Sequence, residues 1–186
     1  MALRTSTETR LLDAADELFF TGGVAATPVD AVLARAGVSA ATLYRGFASK
    51  EALLAAALER RHGAWTRTWD DAVARQITPQ ARLLAVFDAL EAFRDGPLGS
   101  RWCAFLGTAA EHASPPPELA AALRLETEHL RDRLVELAEE AAPGRGRQLG
   151  EQLLLVVTGD LAMRLRTPGR STDVARAVAT TLVHAA

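Results

Sequence analysis

The chain has 186 residues, 49% of them hydrophobic and 5% aromatic, with a formal net charge of −2. That length buries a real core in one or two small domains. Near-neutral charge excludes binding to nucleic acid through bulk basicity, the single cysteine (Cys103) excludes an internal disulfide, and no apolar run approaches the ~20 residues of a membrane helix. Alanine, leucine, arginine and glutamate dominate while β-branched and aromatic residues are sparse, which predicts an all-α protein. The polar stretch Met1–Thr9 lacks the apolar centre of a signal peptide, and the expected location is a reducing cytoplasm.

From Thr9 to Gly22, Leu11, Leu12, Ala15, Leu18 and Phe19 recur at helical spacing, and Gly22-Gly23 stops the pattern. A second helix follows Thr27, read as its N-cap, with Pro28 in the first helical position and Asp30 completing a capping box. Val29, Val32 and Leu33 face inward. Gly37 ends this helix, because glycine takes the left-handed conformation of a sharp turn, and Ser39 caps a third helix from Ala40 to about Phe47. Cap, turn and cap in so short a stretch make a helix-turn-helix.

Ser49 caps a long helix, Lys50 to about Arg75, striped by Leu54, Leu58, Arg61, Trp65, Trp69 and Val73. Thr78-Pro79 opens the next, which carries Leu83, Val86, Phe87, Leu90 and Phe93 and ends at Asp95-Gly96-Pro97. A shorter apolar segment spans Arg101 to Ala113, before the breaker Ser114-Pro115-Pro116-Pro117. Leu119, Leu123, Leu130, Leu134, Leu137 and Ala141 mark a long helix, and Pro143-Gly144-Arg145-Gly146 separates it from another at about Gln148–Arg166. After Pro168-Gly169, Ser171 caps a last helix with Val174, Val178, Leu182 and Val183. The expected architecture is about nine helices, three in a head and six in a body.

Leu11, Ala14-Ala15, Leu18-Phe19, Gly23, Ala26-Thr27, Val29, Val32, Ala34, Ala36-Gly37-Val38-Ser39, Thr42-Leu43-Tyr44, Phe47 and Ser49-Lys50-Glu51-Ala52-Leu53 stand in one register. On those residues the stretch Arg10–Leu54 resembles the DNA-binding domain of TetR-family repressors. The remainder resembles the family in helix number and layout, and Cys103, Phe105 and Ala109–Glu111 are similar to the opening of the sixth helix in some members. The resemblance implies a DNA-binding domain at 1–48 and a ligand-binding and dimerisation domain at 49–186. It further implies a homodimeric repressor of a palindromic operator, released by a small molecule, with no cofactor. In such a dimer two reading helices enter successive major grooves about 34 Å apart.

With Val38, Leu43 and Phe47 inward, the third helix turns Ala40, Ala41, Thr42, Tyr44 and Arg45 outward. Arg45 has the chemistry to read guanine O6 and N7, and Thr42 and Tyr44 to hold phosphates. Thr27 adds a backbone contact at the second helix, and Lys50 matches a family position that meets the DNA backbone. The structural alternatives stay open: Tyr44 as cover for the core, Thr27 as a cap only, Arg45 as a solvated arginine. Ala40 stands where many relatives carry a base, and Gly46 where an aromatic residue or histidine is frequent. Through residue 62, Arg4, Arg10, Arg35, Arg45, Lys50, Arg60 and Arg61 are balanced by Glu8, Asp13, Asp16, Glu17, Asp30, Glu51 and Glu59. A shallow salt dependence is therefore expected, with Arg4 available to reach a phosphate or the minor groove.

A ligand pocket would draw on Trp65, Trp69, Phe87, Phe93, Trp102, Cys103, Phe105, Glu111, His112, His129 and Asp160, an apolar set with a few polar groups. Plain core packing is the competing reading for the aromatic residues. Asp160 is open between a structural hydrogen bond and a ligand contact, and Cys103 between a small buried hydrophobe and a redox thiol. The histidines (His62, His112, His129, His184) show no paired metal-ligand spacing, and no nucleophile elbow, phosphate loop or HExxH motif suggests catalysis. The eighth helix is apolar on more than one face, so Leu154, Leu161 and Leu165, with Ala175, Val178, Ala179 and Leu182 of the last helix, are expected at a dimer interface. A protein of another class, a helical small-molecule-binding or enzymatic protein with a vestigial DNA-binding head, is the alternative.

Overall fold

The computed structural model describes residues 4–99, 102–167 and 169–185. Arg101 and Pro168, which the sequence reading used as boundaries, lie outside the described residues. Among the described residues the elements are nine helices and no strand: α1 Thr5–Gly22, α2 Val29–Ala36, α3 Ala40–Gly46, α4 Lys50–Ala74, α5 Pro79–Arg94, α6 Ala104–Glu111, α7 Pro117–Ala141, α8 Gly146–Arg166 and α9 Asp173–His184. No described helix is long and apolar enough to cross a membrane. The chain divides into two compact units, one of Met1–Arg61 with Ala104–Arg124 and one of His62–Cys103 with Leu125–Ala186.

The first unit contains α1 to α3, the start of α4, all of α6 and the start of α7. Leu11, Ala15, Phe19, Val32, Leu43, Leu53, Leu54 and Leu58 form its core, which Ala104, Leu119 and Ala122 complete. Gly37 sits at φ 64°, ψ 42°, and its N–H turns back to the Ala34 carbonyl, 3.3 Å away. The Ser39 hydroxyl accepts from the Thr42 N–H at 3.3 Å, the expected cap. Ser49 likewise caps α4 through the Ala52 N–H at 3.0 Å. The cap expected from Thr27 is not formed: Pro28 occupies the cap position, and α2 begins at Val29 without a side-chain cap. The Thr27 hydroxyl is buried and donates instead to the carbonyls of Gly23 (2.7 Å) and Leu18 (3.2 Å), tying the turn to the end of α1. α1 also starts earlier than its apolar spacing indicates, because its first turn is entirely polar and carries no stripe.

In the second unit, Trp69, Leu83, Val86, Phe87, Leu134, Leu137, Leu149, Leu153, Val157 and Ala179 form a continuous core. Close approach of α8 to α7 depends on glycine. A Cβ on Gly150 would fall 2.7 Å from Val135 Cα, and one on Gly146 2.8 Å from Glu139 Cα. α9 packs on α5 and α8 through Ala175, Ala179 and Val183, one stripe at four-residue spacing. Thr78 caps α5 by accepting from the Ala81 N–H at 3.2 Å, and the Ser171 hydroxyl accepts from the Asp173 N–H at 3.0 Å.

Candidate functional site

The outward face of α3 is the clearest surface in the first unit. Leu43 is fully buried beneath it, while Ala40, Ala41, Tyr44, Arg45 and Gly46 are exposed. Tyr44 is 53% exposed, so its ring does not serve as a lid on the core. Thr42 is half-buried with its hydroxyl 3.0 Å from that of Ser39. No ion pair involves Arg45 among the described residues, whereas exposed Arg35 is held by Glu17 at 2.6 Å. Arg4, exposed and in extended backbone, immediately precedes α1.

Two of the seven expected DNA contacts face another way. Thr27 has its hydroxyl committed inside the unit, as described above. The Lys50 ammonium donates to the Val24 carbonyl at 2.6 Å and lies 5.6 Å from the Phe19 ring centroid. Glu111, expected in the ligand pocket, reaches the same loop: its carboxylate accepts from the N–H groups of Val24 (3.3 Å) and Ala25 (2.5 Å). Glu111 and the partly buried Phe105 thus belong to the first unit. His112 sits 2.9 Å, through Nδ1, from the Thr108 carbonyl. Nothing in the local sequence signals the Glu111 contact, since its partners lie 86 and 87 residues away.

Between α1 and α4 the first unit carries a buried ion pair. Arg61 donates to the Asp16 carboxylate at 3.0 Å and lies 4.8 Å over the Phe20 ring, while Arg60 binds Asp13 at 2.6 Å. Burial pushes the Asp16 carboxyl above its ordinary value, and the Arg61 and Arg60 charges pull against that shift.

In the second unit the rings cluster. Trp65 and Trp69 are 5.4 Å apart between centroids, Phe93 meets Trp65 edge-on at 5.8 Å, and His129 meets Trp69 edge-on at 6.2 Å. His62, which the sequence reading left out of the pocket, stands edge-on to His129 at 4.9 Å. Its signal was available: it lies three residues before Trp65 and seven before Trp69, on the same helical face. Burial, and then the neighbouring His129, hold the His62 ring below its ordinary pKa. Phe87 is fully buried in the core, with Arg176 5.7 Å over its ring. Trp102 and Cys103 are half-buried. Asp160 is buried and paired with Arg164 at 3.2 Å, and Asp160 Oδ1 and Arg164 Nε have no hydrogen-bond partner among the described residues.

The residues expected at a dimer surface also separate. Ala175 and Ala179 are buried in their own unit, a correction: the four-residue stripe that looked free for a partner is the one α9 turns to α5 and α8. Leu154, Leu161 and Leu182 are partly buried against the same core. Leu165 (52%) and Val178 (47%) are exposed, together with Leu155 (75%) and Val174 (60%). These four give α8 and α9 an apolar outer surface. Among the described residues no group of three or more His, Cys, Asp or Glu is placed to hold a metal ion.

A family model described as bacterial regulatory proteins, tetR family, matches residues 11–57. Two uncharacterised HTH-type transcriptional regulators from strains of Mycobacterium tuberculosis are each 36% identical over 94 residues, 50% of this chain and 46% of theirs. The match therefore spans about half the length of these relatives. Among solved structures, a TetR transcriptional regulator from Streptomyces avermitilis is similar at TM-score 0.82 and 28% identity, covering 97% of each chain. A TetR-family regulator from Streptomyces coelicolor shares the fold at TM-score 0.82 and 24% identity, covering 97% of this chain and 88% of that one.

Proposed function

This chain belongs to the TetR family of bacterial regulatory proteins, and we propose that it is a cytoplasmic, homodimeric repressor of a palindromic operator, released by a small, largely apolar ligand. The observation that carries this reading is the α3 face. A fully buried Leu43 fixes the helix, while Tyr44 and Arg45 project from it without a partner in their own unit among the described residues. A helix so mounted fits the major groove, where Arg45 reads a guanine and Tyr44 and Thr42 position the backbone. Ala40 and Ala41 bring the backbone close and can meet a thymine methyl. DNA reading is assigned to residues 1–48, and effector binding and dimerisation to 49–186. Lys50 and Thr27 act on the DNA indirectly, by holding the loop between α1 and α2.

Leu155, Leu165, Val174 and Val178 support the dimer: exposed apolar side chains on two adjacent helices suit a four-helix interface with a second copy. Relatives are named as transcriptional regulators, and no catalytic step is assigned to the chain.

The test is a gel shift with the DNA flanking the protein's own gene. Arg45→Ala is expected to weaken specific binding by about 1–3 kcal/mol, roughly five- to hundredfold, and to relax the base preference at one position of each half-site. Unchanged affinity and specificity in that variant would refute the readout.

A further inference from the structure

The second unit contains a group of side chains that neither DNA reading nor simple core packing explains. His62, Trp65 and Trp69 share one face of α4, and the rings of His129 and Phe93 close on them edge-to-face. Trp69 is 1% exposed, yet among the described residues its indole Nε1 has no hydrogen-bond partner, and the buried Nδ1 of His62 has none either. An indole N–H donates and cannot accept. When tryptophan is buried that donor usually finds an acceptor, and a buried donor left unpaired costs free energy. Both atoms lie on rings that contact His129, so both belong to one niche.

Nearby charges are already committed. Arg133, one turn beyond His129 on α7, binds Asp70 at 3.2 Å and Glu136 at 2.7 Å. Arg61, next to His62 in the chain, is held by Asp16 at 3.0 Å. His62 is kept neutral by its burial and by His129. Glu126, one turn before His129 on α7, makes no ion pair among the described residues, and burial pushes its carboxyl up to about 7. A niche whose neighbouring arginine Arg133 is already paired, one turn from a carboxyl that resists ionising, disfavours an anion.

Resting on the ligand-responsive reading above, we propose that the Trp69 indole N–H, with His62 beside it, is the polar anchor of the effector site, and that the effector is an uncharged aromatic molecule bearing a hydrogen-bond-accepting oxygen. Aromatic character follows from the surrounding rings, whose edge-to-face contacts a further flat ring can extend. The accepting oxygen follows from the donor-only indole. The preference for a ligand without negative charge follows from Glu126 and from Arg133, whose charge is already paired.

Isothermal titration of the full chain with three matched probes tests this: acetylnaphthalene, ethylnaphthalene and naphthoate. Acetylnaphthalene is expected to bind about tenfold or more tightly than ethylnaphthalene, because only the ketone satisfies the buried donor, with naphthoate weakest. Trp69→Phe keeps an aromatic face and removes the N–H. It is expected to lower acetylnaphthalene to the level of ethylnaphthalene while leaving ethylnaphthalene unchanged. Equal binding of ketone and hydrocarbon, preference for naphthoate, no binding of any probe, or a preference that survives Trp69→Phe overturns the anchor. The probe comparison uses the unaltered protein, so it decides even where Trp69→Phe does not fold. Ligand release is read separately, by operator gel shift at saturating acetylnaphthalene. A probe that binds through Trp69 without changing operator affinity overturns release and supports the anchor.

Discussion

The loop between α1 and α2 and the ring cluster of α4 and α7 treat their polar atoms in opposite ways. Around the loop, the Thr27 hydroxyl, the Lys50 ammonium and the Glu111 carboxylate all end on backbone groups of residues 18 to 25. In the cluster, Trp69 Nε1 and His62 Nδ1 are buried and end on nothing in the described chain. A loop tied from several directions holds its backbone in one place, which suits the α2–turn–α3 unit that follows it. A cluster with unspent polar atoms suits recognition of something else, since a buried polar group satisfied by its own chain has nothing left to offer a ligand.

The largest effect is expected from breaking a well-satisfied contact of the first unit. Arg61→Ala leaves Asp16 buried without its main partner, a change that costs about 3–5 kcal/mol when one member of a buried pair is removed. Asp16 is already pushed above its ordinary pKa by burial, and losing Arg61 pushes it further. A carboxyl whose folded pKa is raised binds more protons folded than unfolded, so stability falls as pH rises past the unfolded value. The deficit of Arg61→Ala is therefore expected to be smaller at pH 4 than at pH 8 in urea unfolding. A variant as stable as the parent at pH 8 would show that the pair does not support the unit.

A change in the opposite direction is expected at the cluster. Burial raises Glu126 from 4.5 to about 7. The folded state thus bears no penalty below the unfolded pKa, loses stability as pH rises from about 4.5 to 7, and stays at its lowest contribution above that. Glu126→Gln removes the ionisation and should stabilise the protein by up to about 2–3 kcal/mol at pH 8. Near pH 4.5 its effect should be close to nil. Thermal melts at the two pH values read this directly, and a variant less stable than the parent at pH 8 would contradict a desolvated carboxyl.

Signals that act over one or two turns were legible in the sequence. Gly37, the caps at Ser39, Ser49 and Thr78, the outward face of α3 and the α4 stripe through Arg61, Trp65 and Trp69 are all found where local rules put them. Decisions made between distant segments were not legible. Thr27 has the right chemistry for a cap, but the Gly23 and Leu18 carbonyls compete for its hydroxyl and win. On α9, Ala175 and Ala179 alternate with Val174 and Val178, so small and apolar residues lie on both faces, and periodicity cannot tell core from surface. Glu126 looks like a surface residue by type, and only its surroundings in the fold show otherwise.

The smallest effect tests the loop itself. Glu111 is exposed, so replacing it leaves no buried charge, and the two bonds to the Val24 and Ala25 N–H groups are lost to water. Glu111→Ala is expected to cost about 1–2 kcal/mol of stability, in the range of hydrogen bonds to a charged group discounted for exposure. Lys50 and Thr27 still hold the loop, so the unit should remain folded. Operator affinity should nevertheless fall several-fold, because the segment leading into α2 gains freedom that DNA binding must then remove. Glu111→Gln keeps an oxygen for one N–H and should recover part of both losses. If Glu111→Ala lowers the melting temperature while operator affinity stays the same, the carboxylate is a structural tie only, and the loop's rigidity does not matter to reading. If affinity falls with stability nearly unchanged, the ties around residues 23 to 27 set the reading helix in place, and the contrast with the unspent polar atoms of the second unit is functional.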